Sequence, residues 1–537
     1  MSGPAMADYA ATHQAFRWEV PEHFNFGADV VDAWAADAAK LALIWCDGEG
    51  RERRLTFVEV ARLSNRFANL LRSHGVGKGD RVIIMLPRIP EWQIAVVGCA
   101  KLGAVPVPCV TMLTEGDIAY RAAHSGAVAA VTTRENVHKF HGEPNLCCRV
   151  SVGGGDGWLE FEGAMGGVSD AFNAVPMARE DPAILYYTSG STGTPKGAMH
   201  AARGLYAWRG SARYWLDLGP DDLMWCTADT GWSKAGTSIL FGPWSQGAEV
   251  LFYDGPFDPA ARLELLEHYQ VTVFCAAATE FRRLIAEDVG AHDLSSLKLA
   301  VSAGEALNPE IVEKWQALSG VPLLDGYGQT ETLMTVLNYP GMPVKAGSMG
   351  RPLPGTEVAV IDDSGALVGA GQPGQLAVRL PNPQQMLGYW KEPAKTQAVM
   401  VETGGARWFL TGDNAYRDED GYFFYLGRAD DVINSAGYRI GPQEVENALM
   451  EHPAVQECAA VGSPDAERGE VVKAFIVLHA GYAASQELAK DLRDHAKRVT
   501  APYKYPRRIA FIDDLPKTVT GKIRRRVLRD REYTGEG

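Results

Sequence analysis

The chain predicts an α/β fold. A large N-terminal region would hold two α/β subdomains and a small distorted β-barrel, with a small α/β C-terminal domain behind it. Three observations predict this. Strand-like apolar runs alternate with amphipathic helical spacing from Phe57 to Leu324. Short strands with Gly and Pro turns replace that pattern from Arg351 to Phe424, and the alternation returns after Gly427-Arg428-Ala429-Asp430-Asp431. With 537 residues the chain has room for more than one core.

Taken in order, Asn25 to Ala39 has helical spacing. Phe57 to Ser73 is an amphipathic helix with Phe57, Val60, Leu63, Phe67, Leu70 and Leu71 on one side. Asp80 to Pro87, Val105 to Val110 and Ala127 to Thr132 read as strands, with a helix over Glu91 to Lys101. Trp92 to Leu113 is apolar for nearly a bilayer's width, but Lys101, Gly103, Pro106 and Pro108 make a helix and a buried strand of it, not a membrane span. Further strands are expected over Asp222–Ala228, Ala248–Tyr253, Val271–Ala276, Leu297–Ser302 and Val321–Leu324. In the C-terminal part, helices over Gln443–Glu451 and Glu487–Arg498 flank strands over Val455–Val461 and Val471–Leu478. The domains are expected at 1–427 and 428–537.

A net charge of −14 argues against a general nucleic-acid or anionic-membrane binder. The charge is uneven: residues 428–537 hold 18 Lys/Arg against 17 Asp/Glu, leaving 34 against 49 for the rest. The C-terminal part therefore suits a polyphosphate ligand that the acidic body would repel. Eight cysteines without a Cys-x-x-Cys pair fit buried thiols in a reducing compartment. No basic start followed by an apolar run opens the chain, so cytoplasm is the expected location.

The chemistry centres on Tyr186 to Gly197. A buried strand breaks into a loop with Gly190, Gly193, Gly197, Pro195, the hydroxyls of Thr188, Ser189, Ser191, Thr192 and Thr194, and Lys196. Glycines let backbone N–H groups close on an anion, hydroxyls add donors, and Lys196 adds a compact cation. These are the parts of a phosphate-holding loop, but Pro195 before the lysine and Gly197 after it exclude a Walker A pattern. Two later strands end in polar clusters, Ser302-Ala303-Gly304-Glu305 and Asp325-Gly326-Tyr327-Gly328-Gln329-Thr330-Glu331. Ligands in open α/β sheets bind at such strand ends, so several could meet over one nucleotide.

The loop resembles the signature loop of the adenylate-forming superfamily (acyl-CoA synthetases, luciferases, peptide-synthetase adenylation domains). Tyr327 to Glu331, Thr411-Gly412-Asp413, Gly427 to Glu446 and Pro516 to Lys522 extend the resemblance over almost the whole chain. Asp229-Thr230-Gly231-Trp232, Ser435 to Pro442 and Thr500 to Pro506 are similar to the medium-chain acyl-CoA synthetases. The resemblance implies an acid-thiol ligase using a small carboxylic acid, ATP, Mg²⁺ and coenzyme A, with a mobile C-terminal lid. Thr188 to Lys196 would hold the β- and γ-phosphates. Glu331 would be the Mg²⁺ ligand, the alternative being a surface carboxylate, and Thr330 would donate to the acid or the α-phosphate. Asp413 and Arg428 would hold the ribose, or bridge two domains. Gly304 and Asp325, Gly326 and Tyr327 would form the adenine slot, with Gly328 and Gln329 also at cofactor-binding positions, Tyr327 stacking on the base unless it is an ordinary core aromatic.

Lys522 would bridge the acid and the α-phosphate; the alternative is a solvated basic tail with Arg524, Arg525 and Arg526. For thioester formation the lid would turn about Asp430. Ala436, Gly437 and Tyr438 would then line the thiol's path, with Arg439, Arg468, Lys497, Tyr505, Pro506 and Arg507 at coenzyme A positions. Trp232 would wall the acyl pocket, and Gly328 stands where acetate-specific relatives carry Trp, which opens space for a medium-chain, branched or aromatic acid. Leu333-Met334 and Ala277-Ala278 depart from the subgroup's pattern. The rival readings are transfer of the acyl group to a carrier protein and a non-catalytic nucleotide binder.

Overall fold

The computed structural model describes residues 5–143, 145–188, 195–305, 307–429, 431, 433–435, 438–465, 468–500, 504–517 and 523–534. Six strands form the parallel heart of the largest sheet, in the spatial order Leu323–Gln329, Leu299–Ala303, Val273–Ala276, Leu223–Cys226, Glu249–Asp254 and Leu41–Asp47. Their centres are apolar and buried, as parallel strands covered by helices must be, while Leu323–Gln329 turns polar and half-buried towards its end. Leu41–Asp47 comes from far earlier in the chain and closes this side with the antiparallel strand Glu52–Thr56. A second, five-stranded parallel sheet holds Val105–Pro108, Arg81–Ile84, Ala129–Thr133, Cys148–Val152 and Leu159–Glu160. These are the two α/β subdomains that the alternation predicts.

The barrel expected over Arg351–Phe424 is a correction. Strands Ser348–Pro352, Phe423–Arg428, Ala406–Arg417, Gly374–Leu380 and Val358–Ile361 run on antiparallel from the large sheet instead of closing on themselves. The reason is Leu333–Leu337, which folds back on Leu323–Gln329 and then pairs with Ser348–Pro352, so the wing's inner edge is hydrogen-bonded to the parallel core. A third sheet is a hairpin of Pro182–Thr188 and Lys196–Ala201 with Gly388–Tyr389 added to its edge.

The helix Phe57–Ser73 forms where its apolar spacing predicts, opened by a capping box between Thr56 and Glu59. The Asn25–Ala39 stretch is not one regular helix: Gly27–Asp32 is a wide π-turn. Its Gly27 lies against the stem of Lys101, where a Cβ would stand 2.3 Å from Lys101 Cγ. Lys101, on the helix Pro90–Leu102, is fully buried, and its ammonium donates to Asp32 Oδ1 at 2.6 Å, Asn65 Oδ1 at 2.7 Å and the Ala61 carbonyl at 3.2 Å. Burial pulls its pKa down, and Asp32 holds it up. The wide turn is thus shaped by a buried cation that the sequence pattern placed on a helix face. The helix in the apolar run stops at Gly103, φ 73°, before the strand Val105–Pro108, and no helix among the described residues is long and apolar enough to cross a membrane.

A separate C-terminal domain holds its own sheet: Val455–Asp465 and Gly469–Leu478 form a long hairpin, joined by Ile433–Ser435, Tyr438–Ile440 and Arg508–Phe511. Helices Pro442–Met450, Gln486–Val499 and Arg525–Thr534 cover it. Seven of the eight cysteines are buried thiols and Cys147 is exposed.

Candidate functional site

The candidate site gathers at the carboxyl ends of the parallel strands, where Leu299–Ala303 leads into Gly304 and Leu323–Gln329 ends at Thr330. A surface groove of about 410 Å³ between Val289 and Val321 opens at the opposite ends of these strands and carries none of the predicted groups. Asp413 is the hub. It is 4% exposed, and three donors converge on it: the Tyr327 hydroxyl on Oδ2 at 2.6 Å, Gln329 Nε2 on Oδ2 at 2.5 Å, and Arg428 Nη1 on Oδ1 at 3.1 Å. Burial pushes its carboxyl up, and Arg428, Tyr327 and Gln329 pull it back. A carboxylate has about four acceptor positions. These three donors leave room on Oδ1 for one further hydroxyl.

Tyr327 and Gln329 therefore act first on Asp413; Gln329 also donates to the Thr411 carbonyl at 2.9 Å. Tyr327 is tilted against Tyr425, ring centroids 6.5 Å apart. Gly304 has φ 93°, and a Cβ there would meet nothing within 4 Å, which is the open, close-approach backbone that a flat base needs. Gly326 is different: a Cβ would meet Trp215 at 2.6 Å, so its bareness serves packing. Asp325 is pushed up to about 7 by burial, against the N–H groups of Gly326 and Leu307.

Gly328 requires a correction. A Cβ there would stand 2.2 Å from the Leu333 carbonyl oxygen and 2.8 Å from Met334 Cα. The missing side chain is filled by backbone, because Leu323–Gln329 shifts register against Leu333–Leu337 between Tyr327 and Gly328. On this backbone a side chain at position 328 has no room.

Beside the hub lies a charged pair. Lys196 begins the second hairpin strand, opposite Thr188, and its ammonium stands 5.0 Å from the ring centroid of Tyr389. The Tyr389 hydroxyl donates to Glu331 Oε1 at 3.0 Å. Glu331 is pushed up by burial and drawn back by that bond and by the charges of Arg428 and Lys196. The Pro195 carbonyl accepts from Tyr120 at 2.9 Å, which ties the hairpin to the helix Glu115–Ser125. Ser189, Gly190, Ser191, Thr192, Gly193 and Thr194 lie outside the described residues.

Thr330 shares a hydrogen bond with Ser233 (Oγ1 to Oγ, 3.0 Å), and its carbonyl accepts from His200 Nε2 at 2.6 Å. His200 is completely buried, and burial drops its pKa to about 4, so the ring is neutral with its proton on Nε2. A base with a folded pKa below the unfolded 6.5 contributes stability above 6.5, and that stability is lost as pH falls towards 4. The loss amounts to about 3 kcal/mol. His200→Gln should flatten the fall in Tm between pH 6.5 and 4; an unchanged slope would show that His200 does not carry it.

Trp232 opens the helix Ser233–Ser238, and the loop before it is pinned to the second sheet: Thr230 donates to the Leu86 carbonyl at 2.6 Å, and a Cβ on Gly231 would meet Val110 N at 2.3 Å. Lys234 donates to the Ala303 carbonyl at 3.0 Å. Pattern reading missed His200, Tyr389, Ser233, Lys234 and Tyr120. A lone polar residue in a strand or helix carries no local signal of what it meets.

In the C-terminal domain, Lys497 Nζ and Arg507 lie over one ring, Tyr505, at 4.6 and 5.1 Å, next to the buried Pro506. Arg468 sits at the turn of the long hairpin, its N–H on Asp465 Oδ1 at 3.1 Å. Tyr438 and Arg439 belong to the strand Tyr438–Ile440. Asp430, Ala436, Gly437 and Lys522 lie outside the described residues. The segments flanking Lys522 are anchored: Lys517 bridges Ile523, and Arg524 N–H donates to the Pro516 carbonyl at 2.7 Å. Arg525 forks onto Glu446 at 2.9 and 2.6 Å. That excludes the solvated basic tail for Arg525.

A model for AMP-binding enzymes matches residues 31–390, and one for the AMP-binding enzyme C-terminal domain matches residues 444–522. The mitochondrial acyl-coenzyme A synthetase ACSM3 of Mus musculus is 42% identical over 98% of this chain and 94% of its own length. An anthranilate CoA ligase solved with anthranoyl-AMP is 32% identical with a TM-score of 0.88, over 96% of this chain and 99% of that one. A benzoate CoA ligase from Burkholderia xenovorans LB400 is 31% identical with a TM-score of 0.83, over 94% of this chain and 100% of that one.

Proposed function

The chain belongs to the AMP-binding enzyme family, and from that premise we propose that it is an ATP-dependent, AMP-forming carboxylic acid:CoA ligase acting on a medium-chain, branched or aromatic acid. The observation that carries this reading is the Asp413 hub beside Lys196, Tyr389 and Glu331: a buried carboxylate with an open acceptor position next to a cation and a second carboxylate, which suits a ribose, a phosphate and a metal. The acyl-CoA synthetases and CoA ligases that the chain is similar to support the acid and thiol substrates.

In the first half-reaction an oxygen of the acid attacks the α-phosphorus, and the bond to pyrophosphate breaks. Lys196 holds the departing phosphates, Thr330 and Lys522 orient the acid against the α-phosphate, and Asp413 with Arg428 fixes the ribose. Mg²⁺ fits the donor set, since one carboxylate, Glu331, with substrate phosphates is a usual Mg²⁺ environment. When bound it would neutralise charge on those phosphates. His200 keeps Thr330 in place through its carbonyl. In the second half-reaction the thiol sulfur of coenzyme A attacks the acyl carbonyl, AMP leaves with the bond's electrons, and the thiol proton goes to solvent.

We take residues 428–537 as the lid, turning about Asp430 so that Ala436, Gly437, Tyr438 and Arg439 approach the thiol. Two cations on Tyr505 support a phosphate-binding face for coenzyme A. The buried thiols support a reducing compartment, and we place the enzyme in the cytoplasm. Acid-dependent exchange of labelled pyrophosphate into ATP tests the first half alone. Exchange with octanoate or benzoate is expected; exchange that needs no acid would contradict the reading.

A further inference from the structure

We propose that Tyr389 is a positioning residue that keeps the phosphate-holding Lys196 and the metal-holding Glu331 apart, each satisfied by a different part of one side chain. The proposal rests on the ligase reading and deepens it. Lys196 and Glu331 are opposite charges in one partly buried site, where attraction is stronger than in water. Even so, no ion pair joins them. Tyr389 stands between, its ring facing the Lys196 ammonium at 5.0 Å and its hydroxyl donating to Glu331 Oε1 at 3.0 Å. A direct pair would turn both groups away from a ligand. A ring face and a hydroxyl hold them less tightly, so both stay available to a nucleotide and its metal.

The backbone fixes this spacer from both sides. Gly388–Tyr389 pairs with Ala198 and Met199 of the Lys196 strand. Leu387 N–H donates to the Met199 carbonyl and Trp390 N–H to the Gly197 carbonyl, both at 2.7 Å. On the other side Met386 N–H donates to the Glu331 carbonyl at 2.9 Å. Tyr389 N–H donates to Thr396 Oγ1 at 2.9 Å, and the ring is 8% exposed, packed with Ala198, Met386 and Phe409. One five-residue step, Met386 to Trp390, therefore holds the cation's strand and the carboxylate's turn at a fixed separation, with the Tyr389 side chain filling the gap.

The test measures binding, not turnover, with the full chain. Mn²⁺ affinity is read by electron paramagnetic resonance in the presence of a non-hydrolysable ATP analogue, and analogue affinity without divalent metal is read by calorimetry. Tyr389→Phe keeps the ring and loses the hydroxyl; it should weaken Mn²⁺ about three- to tenfold and leave metal-free analogue affinity within about twofold. Tyr389→Leu also removes the ring, lets Lys196 pair with Glu331, and should weaken metal-free analogue binding by about tenfold. Adding Glu331→Gln to Tyr389→Leu should restore that metal-free affinity, an outcome that a merely structural role of Tyr389 would not give. If both Tyr389 variants bind Mn²⁺ and analogue as the wild type does, or if Glu331→Gln restores nothing, the proposal is overturned while the ligase reading stands. If the wild type binds no analogue at all, the ligase reading falls and the proposal with it.

Discussion

Lys522→Ala should slow acyl-adenylate formation roughly 10²–10³-fold while leaving thioester formation from supplied acyl-adenylate close to wild type. The first half-reaction brings a carboxylate to a phosphate, and charge builds on the oxygens between them. A cation aimed at that region stabilises the transition state more than the ground state, so its loss is felt in rate rather than in binding. The described neighbours are fixed in place: Lys517 pairs with Ile523, and Arg525 forks onto Glu446. On the proposed mechanism the second half-reaction makes no use of that cation. Single-turnover measurement of both halves separates the cases, and an equal loss in each would show that Lys522 is not specific to adenylation.

Asp413→Ala should raise the KM for ATP about 10²-fold on the proposed ribose role, because one hydrogen bond from a hydroxyl to a charged carboxylate contributes about 1.5–3 kcal/mol, and three protein donors hold that carboxylate in place. The effect has two sources. On the proposed role a ribose hydroxyl loses its acceptor, and Tyr327, Gln329 and Arg428 lose the group that orients them together. Asp413→Asn keeps the shape but turns an N–H towards donors, so it should recover little. Calorimetric ATP affinity and the melting temperature separate lost binding from lost folding. ATP affinity within threefold of wild type in a folded Asp413→Ala protein would remove Asp413 from the nucleotide site.

Much of this was readable from local pattern. Period-two and period-3.6 spacing predicts the helix at Phe57–Ser73, most strands of both parallel sheets and the C-terminal hairpin, because those elements bury a face that their own sequence marks; Leu41–Asp47, Cys148–Val152 and Leu159–Glu160 are not among the strands it predicts. The motifs land where strands end, with open space at Gly304 and converging donors on Asp413. What was not readable depends on contacts between distant residues. The antiparallel wing reads as a barrel until the pairing of Leu333–Leu337 with Ser348–Pro352 is seen. The gap at Gly328 looks like open space until a register shift fills it with the Leu333 carbonyl. Tyr389 and His200 are single polar residues in strands, and each matters through one bond to a residue more than fifty positions away.

The central claim is tested most directly by following pyrophosphate and acyl-CoA together, with ATP, Mg²⁺ and coenzyme A, across acids from acetate to dodecanoate plus benzoate. The account predicts equal amounts of pyrophosphate and thioester for a group of medium-chain, branched or aromatic acids and little for acetate. Pyrophosphate without thioester for every acid would contradict it and move the acyl group to another acceptor, such as a carrier protein.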